Sequence, residues 1–391
     1  MSVLQAGERT RTVLPFLVAG LSLVYAVAGV AWLLGADGYA FGPVPPDGER
    51  LSLLARLPDQ VGAGLIAVLG VLGVPAAIGH ARTEWSASAY RPLLAFTALQ
   101  VVVFGLLAPS VTVAMLTGYL LVLLGLPTGI VWLIVGAWKQ PATRVLLLGV
   151  AGVVVVVELT TGLFDWAAFR DVAAGLGDLP AKVGTTPLFV SGALLLGCGW
   201  ALLGIRGLRS ARGRCQRCGR PGARWTRPES ARRWGFWATI VAVLCPMPYA
   251  LLRMTWLLPN PIGFDADQLN AEPGIKLLGL GLGLIALASG IVTLGLIRPW
   301  GEVWPRWVPF VAGRPVPIKT AVIPGAVAAT LLLVSSASLT GLLWSAEASL
   351  TRNIVYLLIF PFPLWGASVA LATAAYYYRR RTTCTTCHQS G

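Results

Sequence analysis

The sequence predicts an all-α, polytopic bundle of about ten transmembrane helices. Three observations carry that expectation. The 391 residues are 56% hydrophobic and only 12% charged, with a mean hydropathy of +0.74, whereas a soluble domain carries roughly a quarter charged residues. Ten apolar runs recur along the chain, each close to the ~20 residues that cross ~30 Å of hydrocarbon. Threaded through a bilayer, those runs leave twenty-three of the thirty Lys and Arg residues on one side, the asymmetry that fixes orientation in membranes.

The first run, Val13 to Leu34, follows Arg9 and Arg11. It is longer than a signal-peptide core, so it reads as a span and not as a cleaved leader. Val61 to His80 is the second. The third and fourth, Pro92 to Thr112 and Met115 to Ala137, have no charge between them, so Pro109, Ser110 and Thr112 must mark a tight hairpin. Val145 to Phe164 and Leu188 to Ile205 follow. A loop with ten Arg between Arg206 and Arg233 then precedes Gly235 to Leu257, Leu277 to Ile297, Ala321 to Trp344 and Ile354 to Tyr378.

With the N-terminus inside, every basic loop lies inside and eleven of sixteen acidic residues lie outside. Ten spans then leave both termini in the cytoplasm of a bacterial plasma membrane. Trp138, Trp166, Trp234, Trp256, Trp344 and Tyr376 to Tyr378 sit at span ends, where amphipathic rings prefer the headgroup zone. The net charge of +14 does not indicate nucleic acid, because its basic residues lie in loops between spans. The lipid bilayer is the expected partner, with anionic lipids drawn to the Arg-rich loop. The Pro- and Trp-rich stretch from Arg298 to Lys319 is expected to lie along the membrane surface.

An internal repeat is visible. Tyr25-Ala26 with Trp32-Leu33-Leu34 recurs as Tyr249-Ala250 with Trp256-Leu257-Leu258, at one offset of 224 residues. Leu65-Ile66-Ala67 and Leu284-Ile285-Ala286 fall early in the next spans. The following inner loops carry Glu84-Trp85 and Glu302 with Trp304. Parallel repeats around an axis normal to the membrane follow. The expected units are repeat A over 1–138, a two-span insert over 139–205, the Arg-rich loop over 206–233, repeat B over 234–378 and a tail over 379–391. Chance identity in a Leu-, Ala- and Gly-rich alphabet is the competing explanation.

Two Cys pairs are the sharpest motif: Cys215-Gln216-Arg217-Cys218 and Cys384-Thr385-Thr386-Cys387. They lie 169 residues apart, far beyond a single zinc ribbon. The span count nevertheless puts both on the inner face, where a reducing cytoplasm keeps thiols available. Two Cys-x-x-Cys turns make a four-thiolate site, so structural zinc is the expected cofactor. A redox dithiol, haem attachment at Cys384 to His388 and no ligand at all are the alternatives. The first lacks a surrounding βαβ pattern, and the second belongs to the outer side. Cys198 and Cys245 read as packing residues.

Glu158 is the one acid deep in a span, and Arg253 lies at a compatible depth in the seventh. They are candidate polar intramembrane elements, either paired or flanking an outward-opening cavity. A structural salt bridge, or a protonated Glu158, accounts for them equally well. There is no phosphate-binding loop and only two His are present, so neither an intrinsic ATPase nor a His-based catalytic metal is expected. No catalytic residue set can be named.

At Tyr249 to Pro261, at Arg298 to Trp307 and at Tyr376 to Arg381 followed by a Cys pair, the chain resembles uncharacterised multi-span membrane proteins of actinobacteria. The likeness covers mainly the second half and implies no activity or substrate. The leading functional expectation is a transporter or permease-like carrier with a cytoplasmic zinc clip. A membrane enzyme acting on lipid-like substrates through Asp165, Asp265 or Asp267, or a non-catalytic scaffold or sensor, are the alternatives.

Overall fold

The computed structural model describes the chain apart from residues 1–2, 43–51, 82–86, 111–116, 120, 162–166, 168–169, 171–173, 176–184, 221, 307, 309–310, 344–348, 385 and 390–391. The hairpin residue Thr112, the Glu84-Trp85 pair, Trp166, Trp344 and Asp165 fall outside the described residues. Those described contain no strand, only an isolated bridge between Val303 and Pro315.

The helices are α1 (Val3–Leu33), α2 (Asp59–Gly79), α3 (Ala87–Val102), α4 (Leu126–Lys139), α5 (Pro141–Thr161) and α6 (Thr186–Ala211) in the first part of the chain. Then come α7 (Pro228–Leu244), α8 (Met247–Met254), α9 (Pro273–Leu294), α10 (Ile318–Leu343), α11 (Leu350–Ile359) and α12 (Phe362–Arg380). Nine helical segments among the described residues are long and apolar enough to cross a membrane. They match nine of the ten expected spans. The fifth expected span is α5, whose described apolar stretch, Thr143–Val156, is shorter.

Proline sets several ends. α7 opens on Pro228 with Glu229 in its first turn, where a missing N–H costs nothing and a carboxylate meets the positive end of the helix dipole. The seventh span breaks at Cys245 and Pro246, between α7 and α8, because Pro246 offers no N–H to continue the ladder. The tenth breaks likewise at Phe360 and Pro361. The third ends in a π-helical turn, Val103–Leu107, just before Pro109.

Helix packing follows small residues. In lipid, apolar side chains gain little by leaving the bilayer, so close backbone approach decides which helices pair. α1 meets α2 at Gly29, where a Cβ would lie 2.5 Å from the Ala67 nitrogen. α6 meets the π-helical turn at Gly197, where a Cβ would lie 2.5 Å from the Gly105 backbone. α6 also packs on α1 and α3, so α1, α2, α3 and α6 form one group around buried Tyr25, Phe104 and Trp200. α12 packs on both α7 and α10, and α9 on α7 and α8, which makes the second group. α4 and α5 pair with each other, joined through Gln140, and Arg144 Nε donates to the Ala137 carbonyl at 2.6 Å.

This grouping differs from the one expected from chain order. The fourth and fifth spans form a hairpin whose π-helical turn Leu121–Gly125 touches α9, and the sixth packs on the first and third. The repeated motif has matching surroundings. Tyr25 and Trp32 meet Phe189 at the start of α6, with ring centroids at 6.2 and 5.1 Å. Tyr249 meets Phe360, just before α12, at 5.3 Å. Trp32 packs on Tyr39 in the loop that follows it, and Trp256 packs on Phe264 in the same way. The sixth and tenth spans thus each bring a Phe to the Tyr of the repeated motif.

The Pro- and Trp-rich stretch after α9 folds back on itself through the Trp304 N–H to Arg314 carbonyl and Val316 N–H to Glu302 carbonyl bonds, both 2.9 Å. It docks on the end of α12. The Tyr376 hydroxyl donates to the Gly301 carbonyl at 2.6 Å, and Arg379 pairs with Glu302 at 3.4 Å. These contacts fix the point from which the C-terminal tail departs.

Candidate metal centre

α6 and α12 end on the same side of the bundle, each running into a Cys-x-x-Cys turn. After α6, Gly213 takes a φ of +63° and turns the chain back. The Cys215 N–H then donates to the Arg220 carbonyl at 2.8 Å, and the Gly219 N–H to the Cys215 carbonyl at 2.7 Å. After α12, the Cys384 N–H donates to the Gln389 carbonyl at 3.1 Å, and the His388 N–H to the Cys384 carbonyl at 2.9 Å. The two turns have the same register, offset by 169 residues. The residue after each second Cys is left-handed: Gly219 at φ +74° and His388 at φ +54°. Glycine adopts this region without penalty, while His388 is held there by its turn at a cost of roughly 1–2 kcal/mol.

The turns bring four sulfur atoms together, all within 4.8 Å of one another. Cys218 Sγ and Cys387 Sγ are 3.4 Å apart, far beyond a disulfide bond, and all four thiols are free. Tetrahedral coordination with metal–sulfur bonds of about 2.3 Å sets sulfur atoms about 3.8 Å apart. The observed spread brackets that value.

The thiols differ in acidity. Burial raises Cys384, but the N–H groups of Cys387 and Thr386 and the neighbouring thiols outweigh it and hold the group at about 6. Cys215 is lowered in the same way: burial opposes, and the Cys218 and Arg217 N–H groups prevail. Cys218 is pushed up to about 12, first by burial and then by the sulfur atoms around it. A crowded set of this kind cannot lose all its protons unless a cation replaces them.

Arginines hold the two turns in each other's reach. Arg209 donates from Nη1 to the Gln216 and Arg217 carbonyls at 3.2 and 2.9 Å, bracing the first turn. Arg220, 4% exposed, donates from Nη1 across to the tail, to the Thr382 carbonyl at 3.2 Å and to the Gln389 carbonyl. Arg381 reaches the other way, with Nη1 on the Cys218 carbonyl at 3.3 Å and Nη2 on the Thr226 carbonyl at 3.2 Å. Burial, then the nearby Arg220, lower the Arg381 pKa.

Arg220 Nε and Nη2 and Arg381 Nε are buried without a hydrogen-bond partner. The ion pair among the described residues, Arg379 with Glu302, lies elsewhere. Buried guanidinium groups need a counter-charge. Four thiolates around a divalent cation carry two net negative charges, and that charge falls beside these arginines. The donor set and its surroundings fit the metal that the Cys spacing implies. The three arginines do not stand out in sequence, among ten in one loop or three in the tail; only Arg220, directly after Gly219, has a position that could have marked it.

The two intramembrane candidates are not brought together by any described contact. Glu158 lies half-buried on α5, whose described packing is against α4. Arg253, on α8, stacks over Trp256 at 4.0 Å and Tyr249 at 5.1 Å, and its Nε donates to the Tyr249 hydroxyl at 3.0 Å. Two aromatic faces and a phenol thus surround the Arg253 guanidinium. Asp265 caps the short helix Ala266–Ala271 by accepting the Gln268 N–H at 2.9 Å, a structural task. Asp267 is exposed in its first turn.

No protein-family model matches the chain, and comparisons with curated proteins and with solved structures find no match.

Proposed function

We propose that this integral membrane protein carries a structural Zn²⁺ on its cytoplasmic side, held by Cys215, Cys218, Cys384 and Cys387. The observation that supports this reading is the convergence of four sulfur atoms within 4.8 Å, beside buried guanidinium groups that lack a carboxylate. An all-thiolate set suits zinc over harder cations. It also closes the coordination shell, which leaves no position for a substrate. The chemistry the ion supplies is cross-linking: it joins the end of the first helix group to the end of the second. Elemental analysis of the purified chain tests it. One zinc per chain is expected, with loss of the metal in the Cys215→Ser/Cys384→Ser double variant. A folded wild-type protein that neither contains nor takes up zinc refutes it.

A carrier is the second reading, and the paired helix breaks favour it. The contact of Tyr249 with Phe360 brings the break at Pro246 close to the break at Pro361. Broken helices release backbone carbonyls and mark ion and substrate sites in many transporters. Arg253 follows the first break, and its aromatic contacts leave a cation able to meet an anionic substrate. In this reading Arg253→Ala and Glu158→Gln change flux in vesicles; identical flux in both variants removes their proposed roles.

A further inference from the structure

We propose that a pocket beside the cysteine turns, lined by arginine and aromatic side chains, binds the phosphate headgroup of an anionic phospholipid. The pocket encloses about 280 Å³ where α6 and α12 leave the apolar part of the bundle. Arg209, Arg212, Arg214 and Arg381 line it, and no Asp or Glu does.

These cations have hydrogen-bonding capacity to spare. The Arg381 guanidinium stacks over Tyr378 at 5.0 Å, and both line the pocket. The side chains of Arg212 and Arg214 make no hydrogen bond or ion pair among the described residues. Arg212 is exposed and Arg214 half-exposed, so their donors stand open at a cavity wall that carries no carboxylate, an arrangement suited to a ligand with acceptor oxygens. Planar guanidinium groups match the oxygens of a phosphate in pairs.

The remaining walls separate a lipid from a free anion. Trp225 and Tyr378 meet edge to face at 5.5 Å, presenting amphipathic rings of the kind that sit at headgroup level. Ile205 and Leu208 continue the pocket along α6 towards its apolar turns, and they are 45% and 44% exposed. The cavity is thus cationic at its loop end and apolar at its helix end. Inorganic phosphate would use only the first part, whereas a phospholipid uses both. Cys218 and Gly219 form one wall, and the cationic and apolar walls stand without the metal.

The test uses the full chain in detergent, titrated with phosphatidylglycerol or phosphatidylcholine and followed by native mass spectrometry. One phosphatidylglycerol should persist under activation that strips phosphatidylcholine. Arg212→Gln and Arg214→Gln should each weaken it about 5-fold, the equivalent of ~1 kcal/mol per cation near an anionic headgroup. Zinc content and melting temperature, measured on the same samples, report whether the variants fold. Equal retention of both lipids overturns the proposal, as does wild-type affinity in both variants. Displacement of phosphatidylglycerol by equimolar inorganic phosphate overturns the lipid assignment and makes this a site for soluble anions.

Discussion

Replacing Arg220 with Met separates a metal-bound thiolate cluster from four neutral thiols by the sign of its effect. Arg220 is 4% exposed, gives two hydrogen bonds to tail carbonyls and has two nitrogens without a partner. Beside neutral thiols it is a buried charge with no counter-ion, and apolar replacement of such groups is neutral or stabilising by about 1–4 kcal/mol. Beside a doubly negative metal–thiolate cluster it is the nearest compensating charge. A hydrogen-bonded charge contributes about 1.5–3 kcal/mol, so Arg220→Met should weaken zinc about 10- to 150-fold. Competition with a chromophoric chelator measures that affinity directly. The melting temperature of the chelator-stripped variant gives the other half of the cycle and should be unchanged or raised. Unaltered zinc affinity in Arg220→Met would refute the assignment of the thiolates as its counter-charge.

Four further outcomes follow from the structure. In ion-free protein at pH 7, Cys384, held at about 6 against an ordinary 9.0, is mostly thiolate, and Cys218, at about 12, is protonated. Iodoacetamide should therefore label Cys384 first by peptide mass spectrometry, and zinc should protect both. Because the folded pKa of Cys384 is depressed, its contribution to the ion-free state is complete above about 9 and fades as pH falls through about 6; melting temperatures across that window should fall with acid. Cys384→Ser should release the tail, read as trypsin cleavage after Arg379 to Arg381 at least ~10-fold faster than in the zinc-loaded protein. Gly197→Leu should force α6 off the Gly105 backbone and cost about 1–3 kcal/mol, seen as a lower melting temperature, whereas Gly20→Ala, with nothing within 4 Å, should not.

The spans were legible because hydrocarbon imposes length and apolarity on any segment that crosses it. The meeting of Cys215 with Cys384 was legible for a related reason: charged loops fix parity, and parity puts both turns at one end. Packing partners were not. Gly197 and Gly29 look alike in sequence, and only the assembled surfaces decide that one meets Gly105 and the other Ala67. Nor does chain order say that α6 packs on α1 and α3. Arg253 misled because a buried cation calls for a partner without specifying one; Tyr249 and Trp256, one turn to either side, supply it from the same stretch of chain.

Arg220 comes from the segment that ends at Gly222 and docks on the last residues of the segment that begins at Ala223, while Arg381 does the reverse. Each segment also brings two of the four sulfur atoms. Such a seam, stitched in both directions, has little need of peptide continuity between Gly222 and Ala223. Two polypeptides cut there and made separately should find each other through these contacts, with zinc completing the join.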